Sequence, residues 1–425
     1  MKLTVKINKL FDSFNYDLTF DKQISILTSP NGFGKTTILK MLYYLSTQNF
    51  NKLIEIEFSN FEIIFNDNTF LIEKTLENND YFLSCSCNGQ NILKFTNQDF
   101  ETRARALGYT RKPRDNNRWT NLKWLHLENQ IPSIPESEVR NAVYSKDSNL
   151  KDFWDKLPKI LSISANRLID FDDDGQIINP SYPQYIDKIN KRFKWLIHFI
   201  IDEYSNKSQI VDSKFIDQVI NFSEDPLDKD EYENKILIIK QKSSLISKYK
   251  LLPPVEDNSI PKYNEKNIEV FTIYVNNWLN KLSIFDDLVD KFELFTKIIN
   301  KKKLVNKNIF IEKVNKIIFI EKGSASIKFK RNDGKPLPLE DLSHGEQHLL
   351  ILLYELLFNR LEYDFVLIDE PEIGLHISWQ LEFIEDLKKI LEISKMSSIV
   401  ATHSPQIIND NWEYVLDLSE FYGKE

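Results

Sequence analysis

From Leu3 to about Phe95 the chain alternates apolar and polar residues in short runs: LTVKI, YDLTF, LIEIEF, FEIIF, TFLIEK and YFLSCSC. A period of two places the apolar side chains of each run on one face, so these runs predict half-buried strands. Turn-forming residues separate them, notably Asn66-Asp67-Asn68 and Asn88-Gly89, which predicts antiparallel pairing. One segment departs from the alternation: Ile24 to Leu45 reads as an apolar strand, a glycine-bearing loop and an amphipathic helix. Beyond Gln98 the pattern loosens and becomes basic and proline-bearing, until Lys159 to Ser164 (KILSIS) predicts another apolar strand, ending at Ala165, Asn166 and Arg167.

The periodicity then changes. Between Pro183 and Lys250, and again from Glu265 to Lys303, apolar residues recur at spacings of three and four, as in KWLIHFIIDEY and WLNKLSIFDDLVDKFELFTKII. Those spacings predict helices, interrupted at Pro253-Pro254. Sustained heptads and internal repeats are absent, which excludes a long coiled-coil arm and a solenoid. Strands resume between Lys316 and Lys330, followed by a strongly apolar helix and the apolar runs FVLI and SSIVA. The expected organisation is α/β, with strand-rich segments 1–165 and 310–425 forming one head and a helical insertion, 166–309, between them.

Composition narrows the class. The chain has 425 residues, of which 42% are hydrophobic, and this is enough apolar material for sizeable cores. The N-terminus MKLTVKINKLF lacks the apolar run of a signal peptide, and the longest apolar stretches, such as Trp195 to Ile201, are too short to span a bilayer. The expectation is a soluble, cytoplasmic protein with no membrane partner. Cys85 and Cys87 are the only cysteines and alternate with serines in a strand-like run, so packed thiols are expected rather than a disulfide or a zinc site. A net charge of −8 argues against a chain that coats nucleic acid indiscriminately.

The chemistry begins at the segment that broke the pattern. Ser29, Gly32, Gly34, Lys35 and Thr36 fall on the spacing of a phosphate-binding P-loop, G-x-x-x-x-G-K-[ST], with Ser29 where the first glycine is expected. Successive backbone N–H groups must wrap a polyphosphate at close range, which favours glycine; Asn31, Gly32, Phe33, Gly34, Lys35, Thr36 and Thr37 are therefore the expected binding residues. Lys35 would neutralise the β and γ phosphates, the Thr36 hydroxyl would ligate Mg²⁺, and the helix N-terminus adds its partial positive charge. Ser29 fits provided its φ is negative.

A second set of motifs follows near the other end. Leu342, Ser343, His344, Gly345 and Glu346 precede an apolar helix, where a serine and a backbone turn at a helix N-terminus make a second anion site. FVLIDE then ends an apolar strand in Asp369, placed to hold Mg²⁺, and Glu370, placed to orient or deprotonate a water. PEIGLH follows directly, and SSIVATHSPQ sets His403 after another apolar strand.

In this order the motifs resemble those of ABC-type P-loop ATPase heads of the RecF and SMC kind: P-loop, signature with His344 in place of its first glycine, Walker B, D-loop and switch histidine. The segments LSHGEQHLLILLYELLF, VLIDEPEIGLH and ATHSPQIIND look more closely like the AAA-family ATPases of bacterial anti-phage cassettes, such as PtuA of Septu and AriA of PARIS. The resemblance implies ATP and Mg²⁺ as cofactors, Glu370 and His403 as catalytic residues, Thr36 and Asp369 as metal ligands, and Ser343, Gly345 and Glu346 as contacts to nucleotide held by a second copy. It further implies self-association through ATP-sandwiched heads into a higher homo-oligomer that controls a separate effector protein, a nuclease or a toxin. A RecF-like ATPase of DNA repair and an ATP-binding scaffold with little turnover are the alternatives; Lys35, Asp369 and Glu370 disfavour the scaffold. OLD-family nucleases carry a C-terminal Toprim domain after a similar head, and the stretch after His403 leaves room for one strand, Tyr414 to Leu418, so no nuclease activity is expected of the chain itself.

Several further signals carry less. Asn166 is the positional candidate for the Q-loop residue, where such heads have glutamine, and Arg167 beside it is a candidate either for phosphate or for a surface ion pair. Asp170, Asp172, Asp174 and Gly175 match the opening of a calcium loop, but Ser181 stands where its glutamate should be, so a solvated loop is expected. Arg103, Arg105, Arg111, Lys112, Arg114 and Arg118, interleaved with Tyr109, Trp119 and Trp124, suit either nucleic-acid backbone and bases or an acidic partner protein.

Overall fold

The alternating runs fold as strands with one exception. In LIEIEF, Leu53 ends a short helix, Phe50–Leu53, and Ile54 to Phe58 form turn and loop, with Leu53, Ile54 and Phe58 buried in the core without a strand partner for their backbone. The computed structural model describes residues 1–77, 80–112, 115–121, 139, 143, 148–165, 184–256, 260–302, 307–313, 325–331, 336–337, 339–359 and 362–421. Contacts divide the chain into two compact units, Met1–Tyr182 with Asn359–Glu425, and Pro183–Phe358.

In the first unit the chain enters through β1 (Leu3–Leu10), β2 (Phe14–Phe20) and β3 (Ile24–Thr28), turns into the helix Lys35–Ser46, and continues as β4 (Asn60–Phe65), β5 (Asn68–Glu77), β6 (Asp80–Cys87) and β7 (Gln90–Phe95). A helix, Asn97–Ala106, precedes the hairpin of β8 (Tyr109–Lys112) and β9 (Asp115–Asn121); β10 (Ile160–Ile163) follows the helix Ser148–Lys156. Three strands of the second unit, β11 (Lys307–Lys313), β12 (Ala325–Arg331) and β13 (Pro336–Leu337), intervene. The chain then returns with β14 (Phe365–Asp369), β15 (Ser397–Ala401) and β16 (Val415–Asp417).

Two sheets result. The antiparallel one has the order β2-β1-β4-β5-β6-β7. Asn66, Asp67, Asn88 and Gly89 all take positive φ at its hairpin turns, the conformation that two-residue hairpin loops require. The other sheet is parallel, β10-β14-β15-β3-β16, and joins the two ends of the chain: β3 lies between β15 and β16. Its three central strands are almost wholly buried, as strands covered on both faces must be, which is why they read as unbroken apolar runs. Between these two patterns lies one hydrophobic cluster. Val5, Ile7, Phe61, Ile63, Phe70, Ile72 and Cys85 come from the antiparallel sheet, Leu27, Leu367 and Ile399 from the parallel one, and Ile38, Leu42 and Leu45 from the helix after β3. Both cysteines are free and buried. Burial pushes the Cys85 thiol up to about 12, so it is a packing residue.

The second unit contains the helices expected of the insertion: Gln184–Ser213, Phe215–Ile220, Lys229–Lys248, Ile268–Leu282 and Asp286–Lys301. It also holds the three-stranded sheet β11-β12-β13 and the helix His344–Phe358. This contact-based division differs from the sequence limits at 165/166 and 309/310, because the apolar helix after the signature motif packs with the inserted helices. Phe358 lies 5.4 Å from Phe292, 5.2 Å from Phe295 and 5.7 Å from Phe193 between ring centroids, and Arg192 bonds Glu355 at 2.9 Å. Leu349 through Leu353 are all buried, so a helix apolar on every side has found enclosure among other helices. Among the described residues, no helix is long and apolar enough to cross a membrane.

Candidate active site

Parallel strands all present their C-terminal ends along one edge, and loops that leave that edge together form a crevice. Here β3 ends at the P-loop, β14 at Asp369 and Glu370, and β15 at Thr402 and His403. Thr36 and Asp369, 333 positions apart in sequence, therefore converge because β15 sits between β3 and β14.

The loop after β3 is shaped by its glycines. Gly32 and Gly34 have φ of 90° and 82°, in the left-handed region that side chains disfavour. At Gly34 space is also short: a Cβ there would lie 2.9 Å from Leu10 Cδ2 and 3.4 Å from Phe11 Cε2. Ser29, at the position of the expected first glycine, is not among the residues with positive φ, so serine meets no backbone penalty there. From β2, the Tyr16 hydroxyl donates to the Phe33 carbonyl at 2.6 Å, and burial holds that hydroxyl protonated. The ring of Phe33 packs 5.3 Å from that of Phe14. Gly34 caps the helix with no side-chain hydrogen bond, which leaves the first-turn amides to an anion rather than to a serine or aspartate cap.

Lys35 is 5% exposed and turned back along the loop. Its Nζ donates to the Ser29 carbonyl at 2.9 Å and to Ser29 Oγ at 3.1 Å, and lies 3.4 Å from His403 Nδ1. Burial lowers its pKa, and the carboxylates of Glu370 and Asp369 oppose that shift, holding the ammonium in place for a polyphosphate. Thr36 Oγ1 donates to Asp369 Oδ1 at 3.0 Å. Burial raises the Asp369 carboxyl above the usual range, opposed by this bond from Thr36 and reinforced by the negative charge of Glu370.

A hydroxyl and a carboxylate set side by side next to a phosphate cradle suit Mg²⁺, which takes few protein ligands and completes its shell from phosphate and water. The described residues hold no cluster of three or more His, Cys, Asp or Glu side chains fit for a metal, so a closed all-protein metal cage is not what they build. Glu370 follows Asp369 with φ of 44°. That conformation costs a non-glycine residue about 1–2 kcal/mol. The Glu370 amide donates to the Ala401 carbonyl at 2.8 Å. Strain of this kind re-aims the Glu370 side chain at the end of its strand instead of continuing the alternation.

Sequence reasoning treated PEIGLH as a unit and missed the part played by Glu372. One oxygen of its carboxylate, Oε1, accepts from Thr402 Oγ1 at 2.8 Å and from the His403 amide at 3.0 Å. The only sequence signal is a third carboxylate two residues after Glu370, which spacing alone does not connect to His403.

In the second unit, Ser343 begins the helix His344–Phe358 through a capping box. Its amide and hydroxyl donate to Glu346 Oε2 at 2.7 and 2.9 Å, and the Glu346 amide lies 3.5 Å from Ser343 Oγ. Glu346 is buried, with its carboxylate engaged by Ser343, whereas Ser343 and His344 are exposed and Gly345 is half-buried. Asn166, Arg167 and the Asp170–Gly175 stretch lie outside the described residues, as do Arg114 and Trp124. Arg103 and Arg105 lie on the helix Asn97–Ala106, while Arg111 pairs in register with Trp119 across β8 and β9.

The family model described as AAA ATPase domain matches residues 1–408. Among curated proteins the chain is similar to the spermidine/putrescine import ATP-binding protein PotA of Mycoplasma genitalium, 21% identical over 429 residues that cover 94% of this chain and 71% of that protein. Solved structures similar to it include the Smc head domain with an extended coiled coil bound to the C-terminal domain of ScpA, from Pyrococcus furiosus (13% identity, 98% of this chain and 93% of that chain, TM-score 0.42). Another is the Smc head domain with a coiled coil and joint from Pyrococcus yayanosii (13% identity, 98% and 95% coverage, TM-score 0.37).

Proposed function

This chain belongs to the AAA ATPase domain family, and from that premise we propose that it binds and hydrolyses ATP at the C-terminal edge of its parallel sheet, using turnover as a switch. The observation that carries the reading is the 3.0 Å contact between Thr36 and Asp369, which joins the phosphate loop to the carboxylate pair Asp369-Glu370. The P-loop amides and Lys35 bind the β and γ phosphates. Thr36 and Asp369 would hold Mg²⁺, which would supply neutralisation of phosphate charge. Glu370 orients the attacking water and accepts its proton, and His403, beside Lys35, faces the γ-phosphate position. Catalysis rests on positioning and electrostatic stabilisation, with no covalent intermediate on the protein. Phosphate release tests this directly. Wild-type chain with ATP and Mg²⁺ turns over, and Lys35→Ala abolishes nucleotide binding and turnover together; wild-type turnover in Lys35→Ala would place the activity elsewhere.

The finer reading is a regulator of an anti-phage complex. It is supported by the likeness of LSHGEQHLLILLYELLF, VLIDEPEIGLH and ATHSPQIIND to the ATPases of such cassettes. In this reading the exposed Ser343 of one copy completes the nucleotide site of another, ATP acts as the adhesive between heads, and hydrolysis loosens a higher homo-oligomer that restrains or delivers a separate effector. The assay is cleavage of plasmid, linear DNA and RNA by the purified chain, with and without the product of the neighbouring gene. Cleavage is expected only with the partner; cleavage by the chain alone, abolished by a substitution within it, contradicts the effector model. The RecF-like alternative, with DNA bound directly, draws on Arg111, Lys112 and Arg118 of the β8–β9 hairpin and is read from the salt dependence of DNA binding.

A further inference from the structure

Glu372 is a carboxylate of the site with no assigned part in ATP turnover. Glu372 lies in the turn after Glu370, and its Oε1 accepts two hydrogen bonds from the loop that carries the switch histidine: Thr402 Oγ1 at 2.8 Å and the His403 amide at 3.0 Å. Thr402 is fully buried, and its amide donates to the Leu27 carbonyl at 3.1 Å, so its position is set by β3, the strand that leads into the P-loop. His403 itself is exposed, and its Nδ1 lies 3.4 Å from Lys35 Nζ. The turn bearing Glu372 is braced from behind. Gln380 Nε2 donates to the Leu375 carbonyl at 3.0 Å and to the Glu372 carbonyl at 3.4 Å, while Ser404 Oγ donates to Gln380 Oε1 at 2.9 Å. Ser404 thereby ties the far side of the histidine loop to the same turn, and the Ser404 amide donates to Thr402 Oγ1 at 3.0 Å.

From this geometry we propose that Glu372 is the positioning residue of the switch histidine: a single carboxylate oxygen clamps Thr402 and the His403 amide so that the imidazole points at Lys35 and the phosphate it holds. Glu372 does not touch nucleotide. It acts through His403, and because it lies in the turn that follows Glu370, it links the segment bearing the water-orienting carboxylate to the one bearing the histidine. The proposal rests on the reading of the site as an ATPase. A hydrogen-bond acceptor is what the clamp requires, and a negative charge is not: Oε1 of glutamine keeps both bonds.

The test compares Glu372→Ala with Glu372→Gln, each in the wild-type and His403→Ala backgrounds. Glu372→Ala should lower kcat by about 10-fold or more, the scale on which removal of a residue that orients a functional ligand acts, with KM for ATP little changed. Glu372→Gln should recover most of that loss. In the His403→Ala background Glu372→Ala should add little, because the group it positions is already gone. Equal losses in both backgrounds, or a rise in KM with kcat intact, would overturn the proposal. A readout independent of turnover is the pair of ring ¹⁵N resonances of His403 in the nucleotide-free chain. They should shift in Glu372→Ala and return in Glu372→Gln; unchanged resonances in Glu372→Ala would also overturn it. If the wild-type chain hydrolysed no ATP, the ATPase reading would fall while the resonances still decided whether Glu372 holds His403.

Discussion

Substituting alanine at Gly34 and at Gly32 separates two costs that the P-loop combines. Gly32 and Gly34 have φ of 90° and 82°. An L-residue in that left-handed region costs roughly 1–2 kcal/mol. At Gly32 the new methyl meets nothing within 4 Å, so strain is the whole of the steric penalty. Reduced freedom of the unfolded chain offsets it by about 0.4–1 kcal/mol. Gly32→Ala should therefore destabilise by roughly 0–1.6 kcal/mol. At Gly34 the methyl would stand 2.9 Å from Leu10 Cδ2, and Leu10 is fully buried in the central cluster, so its side chain must shift within a packed core. Overpacking of this kind adds about 1–3 kcal/mol. Gly34→Ala should thus cost roughly 1–3 kcal/mol more than Gly32→Ala, measured by urea denaturation of the nucleotide-free chain with m unchanged. ATP affinity should also drop further in Gly34→Ala, since relief of the clash moves the amides at the helix start. Equal destabilisation of the two variants, or a neutral Gly34→Ala, would refute the reasoning that this loop is held against β1.

Tyr16→Phe removes the hydrogen bond to the Phe33 carbonyl. It should lower the unfolding free energy by about 1 kcal/mol, with an unchanged denaturation midpoint showing that the bond contributes nothing. Asp369→Asn should trade function for stability. The folded pKa of Asp369 is raised above its ordinary 3.8, so the folded chain keeps this proton over a pH range where the unfolded chain has lost it. Stability therefore falls as pH rises from the unfolded value through the folded one. The amide escapes that loss, so Asp369→Asn should melt higher than wild type at neutral pH and hydrolyse no ATP; a lower midpoint would contradict the sign. Ser343→Arg should leave nucleotide binding intact and abolish ATP-dependent association seen by sedimentation with a non-hydrolysable analogue, and undiminished association would place the completed site within one chain.

The sequence made some levels of this molecule readable and hid others. Period-two alternation with Asn-rich turns announced the antiparallel sheet because one face of each strand is buried and the other wet, and the turns need residues that tolerate positive φ. The parallel strands were legible as apolar runs, but their order was not: nothing in ISILT, FVLID or SSIVA says that β15 separates β3 from β14. The candidate P-loop and Asp369-Glu370 stood out because phosphate and metal chemistry needs fixed residue types at fixed spacing, but the contact of Thr36 with Asp369 did not. Glu372 escaped notice because its role is a contact across 31 residues to a backbone amide, which no local pattern encodes. The helix His344–Phe358 was legible as a helix, while the inserted helices it packs with were not, since its all-round apolar surface is satisfied by whichever helices enclose it.

The central claim is that the two ends of this chain build one site that turns ATP over, with Glu370 acting on water after ATP is bound. Its most direct test is a single-turnover experiment on Glu370→Gln, in which equilibrium binding of ATP and the release of phosphate are followed in the same sample. The glutamine keeps the size of the side chain and removes the base, so ATP should bind as it does to wild type while hydrolysis falls by about 100-fold or more. Phosphate release at the wild-type rate from Glu370→Gln would contradict the account.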